Sequence, residues 1–503
     1  MSDSELGLRL RNANSAPIHD DRDYVLYWMI AARRPAWNFA LDRAIAHARA
    51  LGKPLLVFEP LEVDYPWASD RLHRFVIDGM RDNAAAFAKA PVTYFPYVEP
   101  RPGDGRGLLE TLARRASVIV TDEFPCFFLP RIVTAAAARV DVAMEVVDSN
   151  GLIPLASTDR VFTAAAFYRR FMQQTLLSHL GTIPESAPLS ALTLPRLPQL
   201  PDAVRSRWAP VTAALLSGSA SELAALPIDH EVTAVSMRGG SQQGEDTLST
   251  FITTKLPRYG ELHSAPEADG TSRLSPYLHF GHVGAHQVFA AVMGHEGWTT
   301  RTIADKRVTG AREGWWGVSP SAERFLDQLT VWRELGFNMS SKRPDDYDRY
   351  ESLPDWARQT LEKHHTDRRD LYDRTTLERG ATRDPLWNAA QGQLRREGWF
   401  HNYMRMLWGK KILEWSPTPQ DALATMIAIM NRWSLDGRDP NAYSGYFWTL
   451  GRYDRPWPER PVYGTVRCMT SASTARKFSV KNYIAEYAPP VTVGDTSPPL
   501  PLG

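Results

Sequence analysis

Residues 401–441 read HNYMRMLWGKKILEWSPTPQDALATMIAIMNRWSLDGRDPN, and this stretch decides the fold of the C-terminal half of the chain. Apolar side chains recur every three to four residues on both sides of SPTP, which predicts two helices joined by a turn. Pro419 favours the first turn of the second helix, so we expect the first helix to end near Trp415. The same spacing predicts a helix over 321–335 and an almost wholly helical domain from about residue 247 onward.

The first 150 residues alternate short apolar runs with amphipathic segments. We predict strands at 24–29, 55–59, 92–98, 118–121 and 143–147, and helices at 38–51, 69–89, 108–115 and 129–138. Pro96 lacks the N–H group that a central strand needs, so its strand is predicted to lie at an edge. Repeated strand–helix alternation predicts an α/β domain with a doubly wound, Rossmann-like parallel sheet.

The chain is predicted to have five segments. They are a flexible N-terminal tail (1–22), the α/β domain (23–180), an extended linker (181–246), the larger all-α domain (247–485) and a flexible C-terminal tail (486–503). The linker is inferred from six prolines between residues 184 and 210, which favour an extended chain. The C-terminal tail is rich in proline and glycine, as loose termini often are.

Composition excludes several classes of protein. The net charge of +1 argues against electrostatic capture of nucleic acid by the whole surface, although a local basic face is compatible with it. The only two cysteines, Cys126 and Cys468, lie far apart, which argues against a disulfide framework and favours the reducing cytoplasm. We find neither an apolar leader nor an 18-residue apolar run, so we expect no membrane partner. We expect a cytoplasmic protein that acts as a monomer, although no feature of the sequence fixes the oligomeric state.

A glycine-rich turn, Gly103-Asp-Gly-Arg-Gly107, stands between a predicted strand and a predicted helix. Backbone N–H groups in such a turn can bind phosphate. The spacing lacks the G-x-G-x-x-G pattern, and the preceding residues are rich in proline. We therefore favour a plain loop over a nucleotide site.

Seven of the 16 tryptophans lie between Trp387 and Trp457, a density that invites a functional explanation. Trp408 and Trp415 are seven residues apart and share one helix face, about 10 Å apart along the axis. Trp387 falls in the first turn of a helix that Asp384-Pro385 is predicted to begin. Three indoles at such distances could pass an electron between a buried redox centre and the surface. The alternative is an ordinary aromatic core.

Arg405 lies one turn before Trp408 and shares its face. A buried arginine needs a carboxylate, and Asp436 and Asp439 in LDGRDPN are the candidates. The pair is either purely structural or adjoins a cofactor whose anionic state it tunes. TSRLSPYLHFG, residues 271–281, could likewise hold a diphosphate with free N–H groups or be an ordinary helix start.

Five motifs resemble, in chain order, those of the class II cyclobutane pyrimidine dimer photolyases of the photolyase/cryptochrome family. They are TSRLSPYLHFG, DPLWNAAQ, YMRMLWGKKILEW, LDGRDPNAY and RPVYGTVRCM. The resemblance extends from about residue 23 to 485 and is densest in the last 120 residues. It implies that the all-α domain binds FAD, which when reduced and excited by light passes an electron to a pyrimidine dimer in DNA. The resemblance leaves open whether the N-terminal domain binds a second, antenna chromophore, and which chromophore that is.

Carried onto this sequence, the resemblance implies a role for each matching residue. The tryptophan chain that reduces the flavin in the family matches Trp408, Trp387 and Trp415 of this sequence. The FAD contacts become Tyr259, Ser272, Leu274, Ser275, Arg405 and Asp436, with Asn431 and Asp439 as further candidates. The rings that flank a flipped dimer become Trp332 and Trp448, and the residues that fill the gap in the DNA become Trp457 and Arg467.

Two positions depart from the family pattern. The family has a Glu that hydrogen-bonds the lesion where this chain has Gln328, within FLDQL. Fifteen residues after Trp415, where the family places an Asn against flavin N5, this chain has Met430, which cannot make that hydrogen bond. The next residue, Asn431, would face N5 only if the helix were rotated by about 100°.

These departures leave two functions open. The first is light-driven repair, with damaged DNA and its flipped dimer as the partner. The second is a photolyase-derived flavoprotein that does not repair DNA, either a blue-light photoreceptor with a signalling partner or a flavoenzyme acting on a small molecule. The predicted lesion residues favour repair, whereas Gln328, Met430 and the near-neutral charge favour the second function.

Overall fold

The computed structural model describes residues 1–304 and 306–488. The chain forms two compact units. Unit 1 contains Met1–Asp159, Met172–Thr250 and the segment that begins at Arg273, and unit 2 contains Arg160–Phe171, Phe251–Ser272 and the segment that begins at Lys306. Within the described ranges, no helix is long and apolar enough to cross a membrane.

Unit 1 contains a six-stranded sheet. Its strands are β1 (Leu10–Asn12), β2 (Tyr24–Trp28), β3 (Leu55–Leu61), β4 (Val92–Val98), β5 (Ala116–Asp122) and β6 (Met144–Val147). Their order is β1-β6-β5-β2-β3-β4, with β2 to β6 parallel and β1 antiparallel to β6. The predicted doubly wound sheet is confirmed, and β4, the strand with Pro96, lies at an edge.

Alternation along the parallel strands places apolar side chains on both faces of the sheet. Leu26 on β2 pairs with Leu56 on β3 and Ile119 on β5, and all three belong to one hydrophobic cluster. The preceding residues of the three strands pack in a second cluster on the opposite face. Both faces are therefore covered, as expected of a parallel sheet.

The N-terminal segment differs from the predicted flexible tail. Residues 1–22 contain a short helix and strand β1, and Leu10 pairs with Val147 of β6. Leu6 is buried in the same hydrophobic cluster as Val25 and Tyr27 of β2. The segment is ordered because it satisfies the edge of β6, a long-range pairing that its polar sequence does not reveal.

The helices follow in chain order. They are α1 (Asp3–Leu6), α2 (Phe39–Leu51), α3 (Asp70–Phe87), α4 (Leu108–Ala113), α5 (Leu129–Ala137), α6 (Ala165–His179), α7 (Asp202–Arg205), α8 (Ala213–Ser217), α9 (Ala220–Ala224), α10 (Ser241–Thr250), α11 (Tyr259–Leu262), α12 (Ser275–His279), α13 (Ala285–His295), α14 (Arg301–Ala304), α15 (Pro320–Asp327), α16 (Arg333–Lys342), α17 (Asp355–Lys363), α18 (Arg374–Arg379), α19 (Pro385–Glu397), α20 (Asn402–Trp415), α21 (Pro419–Trp433), α22 (Pro440–Thr449), α23 (Ser471–Lys477) and α24 (Lys481–Tyr487).

The boundaries of the units differ from the predicted domains. The predicted linker 181–246 contains α7 to α9 and packs within unit 1, as does the segment from Arg273 that we expected in the helical domain. Contacts distant in sequence cause this: Arg34 donates to the carbonyl of Gly281 at 2.9 Å, and Gly240 donates to Nδ1 of His282 at 2.9 Å. Of the predicted C-terminal tail, residues 489–503 lie outside the described ranges.

The glycine-rich turn of unit 1 is occupied by a carboxylate of the same chain. Oε1 of Glu99 accepts the N–H groups of Gly103 at 2.9 Å and Gly105 at 3.0 Å, and Oε2 accepts that of Val63 at 3.2 Å. A phosphate would have to displace this buried carboxylate. The plain loop favoured from the sequence fits these contacts.

Candidate functional site

The candidate site of unit 2 rests on α19 to α22, whose starts follow the predicted signals. Asp384 caps α19 by accepting the N–H of Trp387 at 3.0 Å. Thr418 caps α21, which begins at Pro419 as expected, by accepting the N–H of Asp421 at 3.0 Å. Fixed helix starts hold the side chains of the first turns in one orientation.

The three predicted tryptophans form one continuous stack. The rings of Trp387 and Trp408 are parallel with centroids 6.4 Å apart, and Trp387 meets Trp415 edge to face at 5.4 Å. Trp387 therefore bridges the two indoles of α20, and all three rings are buried. The ring contacts through Trp387 go beyond the shared helix face that the spacing suggested, and the electron-transfer role stays a prediction.

Each end of the stack has partners that the sequence reasoning missed. Gln391 accepts the Nε1–H of Trp408 at 2.8 Å, and its position four residues after Trp387 on one helix face is a signal that could have identified it. At the other end, the half-buried Tyr372 meets Trp415 edge to face at 5.2 Å. Nζ of Lys411 lies 4.5 Å from the Trp415 ring. Nothing local in the sequence predicts the Tyr372 contact.

The predicted ion pair of Arg405 forms with Asp436. Nη2 of Arg405 donates to both oxygens of Asp436, at 2.9 and 3.1 Å, and the Ser434 hydroxyl donates to the same carboxylate at 2.6 Å. Asp439, the other candidate, caps α22 by accepting the N–H of Asn441 at 2.8 Å. The sequence could not choose between them, because the loop conformation decides which carboxylate reaches α20.

The arrangement of Arg405 fits a flavin. The Arg405 side chain is 21% exposed, whereas that of Asp436 is 5% exposed, so one side of the pair is open. Nε of Arg405 donates to Phe400 and Nη2 to Asp436, which leaves Nη1 without an acceptor among the residues described. An available guanidinium donor beside a buried indole suits an anionic flavin ring.

Asn431 hydrogen-bonds two tyrosines, one of which, Tyr446, lies within electrostatic range of this pair. Its amide donates to the Tyr443 hydroxyl at 3.2 Å and accepts from the Tyr446 hydroxyl at 3.3 Å. Burial raises the pKa of Tyr446, and the charges of Arg405 and Asp436 act on the same hydroxyl. These contacts do not involve flavin N5, so the assignment of Met430 or Asn431 to that position stays a prediction. Met430 is buried beside it.

The remaining predicted cofactor residues lie elsewhere in the two units. Tyr259 packs in an aromatic cluster with Phe251, His263 and Phe325 in unit 2, and burial raises its pKa. Ser272 belongs to unit 2, whereas Leu274 and Ser275 belong to unit 1, where Ser275 begins α12. Their FAD contacts stay predictions.

Gln328 opens a π-helical turn that interrupts the helix predicted over 321–335. The N–H of Arg333 donates to the carbonyl of Gln328, five residues back, and the turn spans Gln328–Trp332. Such turns insert one extra residue and often mark functional sites. Gln328 and Trp332 are both half-buried, and the Gln328 amide makes no hydrogen bond to the part of the chain that the structure describes.

The neighbouring carboxylate cannot replace the missing Glu at Gln328. Asp327 is buried and accepts two hydrogen bonds from Arg169, at 2.7 and 3.1 Å. Its charge is therefore committed to a structural pair. The Gln328 carboxamide has no hydrogen-bond partner within the described residues, and it can donate and accept but cannot ionise.

Three residues predicted to bind the lesion meet in one cluster. The guanidinium carbon of Arg467 lies 4.8 Å from the Trp457 ring centroid and 5.9 Å from that of Trp448. Nζ of Lys410 lies 4.8 Å from the Trp448 ring, a contact that the sequence reasoning missed. The exposed Arg467 and the two partly exposed indoles form a surface suited to bases and phosphates, and the buried Lys410 lies behind Trp448.

Comparison with known proteins gives extensive matches. The deoxyribodipyrimidine photo-lyase of Methanothermobacter thermautotrophicus is 31% identical over 479 residues, which cover 95% of this chain and 97% of the relative. That of Oryza sativa subsp. japonica is 33% identical over 481 residues, covering 92% of this chain and 87% of the relative. No model of a protein family matches the chain.

A solved structure shares the fold. The cryptochrome of Synechocystis superposes with a TM-score of 0.65 at 13% identity, covering 92% of this chain and 88% of that chain. Near-complete coverage by relatives above 30% identity, together with this common fold, decides the classification. The chain belongs to the photolyase/cryptochrome family.

Proposed function

We propose that the protein is a class II photolyase that binds FAD and uses light to split cyclobutane pyrimidine dimers in DNA, acting as a monomer. One observation carries the proposal: α20 presents the open guanidinium of Arg405 and, one turn later, the first ring of the continuous tryptophan stack. A charge for a cofactor and a path for electrons thus share one helix face. The relatives named deoxyribodipyrimidine photo-lyase support the same reaction.

FAD binds unit 2 beside the Arg405–Asp436 pair in this proposal. The chemistry that FAD supplies when bound is absorption of light and exchange of one electron. Nη1 of Arg405 donates to the flavin and favours its anionic form, while Asp436 holds the guanidinium in place. Asn431, whose amide is held by Tyr443 and Tyr446, is the polar neighbour of Met430 that would serve the flavin ring.

The tryptophans restore the reduced cofactor. An external reductant would supply the electron at the half-buried Tyr372 end of the stack, and the electron would pass inward from Trp415 through Trp387 to Trp408, the ring one turn after Arg405. Burial of all three indoles excludes water and keeps their separations fixed. Hydrogen bonds from Trp408 to Gln391 and from Trp387 to the Trp408 carbonyl hold the rings in register.

The lesion binds between aromatic rings. Trp332 and Trp448 flank the flipped dimer and replace the stacking that it loses on leaving the helix. The Gln328 amide donates a hydrogen bond to a carbonyl of the dimer, where it stabilises added negative charge without transferring a proton. Trp457 and Arg467 enter the gap that the dimer leaves in the duplex.

A repair assay tests this function. FAD-loaded, reduced protein is mixed with an oligonucleotide that contains one thymine dimer, and the restored oligonucleotide is quantified by chromatography after illumination and in the dark. We expect repair only in the light, and less of it for Trp448→Leu. Trp433→Phe, a buried indole outside the stack and the lesion cluster, is the matched control. No repair by fully loaded, reduced protein would contradict the proposal and favour the photoreceptor or small-molecule function.

A further inference from the structure

Lys410 is a fully buried lysine that the proposed chemistry does not use. It lies on α20 with 0% exposure. Nζ donates to the carbonyl of Thr449, the last residue of α22, at 2.7 Å, and this is its only hydrogen bond within the described residues. Gly409 lets α20 approach this point, since a Cβ there would lie 2.6 Å from Oγ1 of Thr449. Burying a cation with one acceptor is costly, so a purely structural role would favour an apolar side chain.

The second contact of the Lys410 ammonium is the face of Trp448. Nζ lies 4.8 Å from the ring centroid, and Arg467 approaches the same ring at 5.9 Å. Three charged or titratable groups act on the ammonium: Asp454 and Cys468 favour its charged form, and Arg467 disfavours it. One oxygen of Asp454 is buried without a hydrogen-bond partner. The hydroxyl of Tyr463 fixes the backbone here by donating to the Lys410 carbonyl at 2.9 Å.

We propose that Lys410 is a positioning residue for lesion binding: its protonated ammonium, anchored on the end of α22, holds the Trp448 indole in the orientation that stacks on the flipped dimer. This inference rests on the proposed function only for the identity of the stacking ligand. Lys410 acts through the indole and does not itself touch the dimer. The cation–π contact is lost when the ammonium loses its proton.

The charge of Lys410 changes in the neutral range. Burial lowers the pKa of Lys410 to about 7. The ammonium is therefore charged below about pH 7, and lesion affinity is expected to fall as the pH rises through this value. The stability of the fold has the opposite pH dependence. In the unfolded chain Lys410 has the ordinary lysine pKa of 10.5, so between about pH 7 and 10.5 the unfolded chain binds more protons than the folded chain. The free energy of unfolding therefore increases as the pH rises through this window. Lys410 thus contributes to binding under the conditions in which it costs stability.

A double-mutant cycle tests the proposal. Dissociation constants for a thymine-dimer oligonucleotide and its undamaged counterpart are measured in the dark for wild type, Lys410→Met, Trp448→Leu and the double variant, from pH 6 to 8.5. We expect Lys410→Met to weaken lesion binding by roughly fivefold at pH 6, with the difference vanishing by pH 8.5. In the Trp448→Leu background the substitution should have no effect. Lys481→Met, an exposed lysine on α24, is the control.

A spectroscopic measurement keeps the test independent of DNA repair. With 5-fluorotryptophan incorporated, the fluorine resonance of Trp448, assigned from Trp448→Leu, should titrate near pH 7 in wild type and stay constant in Lys410→Met. Thermal stability at pH 6 should not fall in Lys410→Met. Three results would overturn the proposal and show that Lys410 is merely structural. They are a wild-type Trp448 resonance that does not change with pH, a loss of affinity in Lys410→Met that is independent of pH, and a lower thermal stability of Lys410→Met. A titrating resonance in a protein that binds no dimer would instead refute the proposed function alone.

Discussion

Two regions of the molecule offer hydrogen-bond donors suited to an anion, and they differ in what satisfies them. In unit 1 the N–H groups of Gly103 and Gly105 bond to Glu99, and those of Ile30, Ala31 and Ala32 bond to one oxygen of Asp122 at 2.8 to 2.9 Å. In unit 2 the Nη1 donors of Arg405 have no acceptor among the described residues.

The difference separates structural polar groups from groups arranged for a ligand. A buried donor that an internal carboxylate satisfies stabilises the fold and has little to offer a second anion. A partly exposed donor held in place by a partner on its other side can bind a ligand without rearrangement. By this criterion the glycine-rich turn is part of the fold, and the Arg405 region is a site.

The largest expected effect is on photoreduction through unit 2. Trp408→Phe breaks the stack at the ring one turn from Arg405, so blue light in the presence of an external reductant should no longer reduce the bound flavin. The measurement is the flavin absorbance during illumination. In Trp433→Phe, which alters a residue outside the stack, the bound flavin should be reduced at the wild-type rate. Equal rates for the two variants would show that the stack is only a core.

A second expected effect concerns the buried groups of unit 1. Burial lowers the pKa of His73 to about 4, below its ordinary value of 6.5. The unfolded chain binds more protons between these values, so stability falls as pH is lowered through this window, by about 3 kcal/mol in total. Urea unfolding between pH 4 and 7 should show a shallower pH dependence for His73→Gln. The exposed variant His295→Gln should follow wild type, and an unchanged profile for His73→Gln would contradict the assignment.

The smallest expected effect concerns the free carboxamide of Gln328. Gln328→Leu removes one hydrogen bond to the lesion and should weaken dimer binding by roughly fivefold, the equivalent of one neutral hydrogen bond. FAD content should not change. Because the position is half-buried and has no partner in the described structure, folding stability should stay close to that of wild type. A large loss of stability would mean that Gln328 is structural.

Local patterns predicted much of both units. Apolar runs predicted the five parallel strands, and Asp384, Pro419 and the spacing of Trp408 and Trp415 predicted the framework of the site. These features depend on neighbours within one or two helical turns.

Features that depend on distant contacts could not be predicted in the same way. Strand β1 forms because β6 offers an edge, and the segment from Arg273 joins unit 1 through bonds such as that of Arg34 to Gly281. The choice of Asp436 over Asp439 depends on the loop conformation. The π-helical turn at Gln328 has no pattern in the apolar spacing, and the burial of Lys410 under Trp448 depends on where α22 ends.

Titration of flavin-depleted protein with FAD tests the contrast between the two donor sets most directly. Calorimetry should give one FAD per wild-type chain. Arg405→Met should weaken binding by about tenfold or more, the equivalent of a charged hydrogen bond, whereas Glu99→Gln, which alters the donor-rich turn of unit 1, should bind like wild type. Unchanged affinity in Arg405→Met, or a loss confined to Glu99→Gln, would contradict the assignment of the flavin site to unit 2.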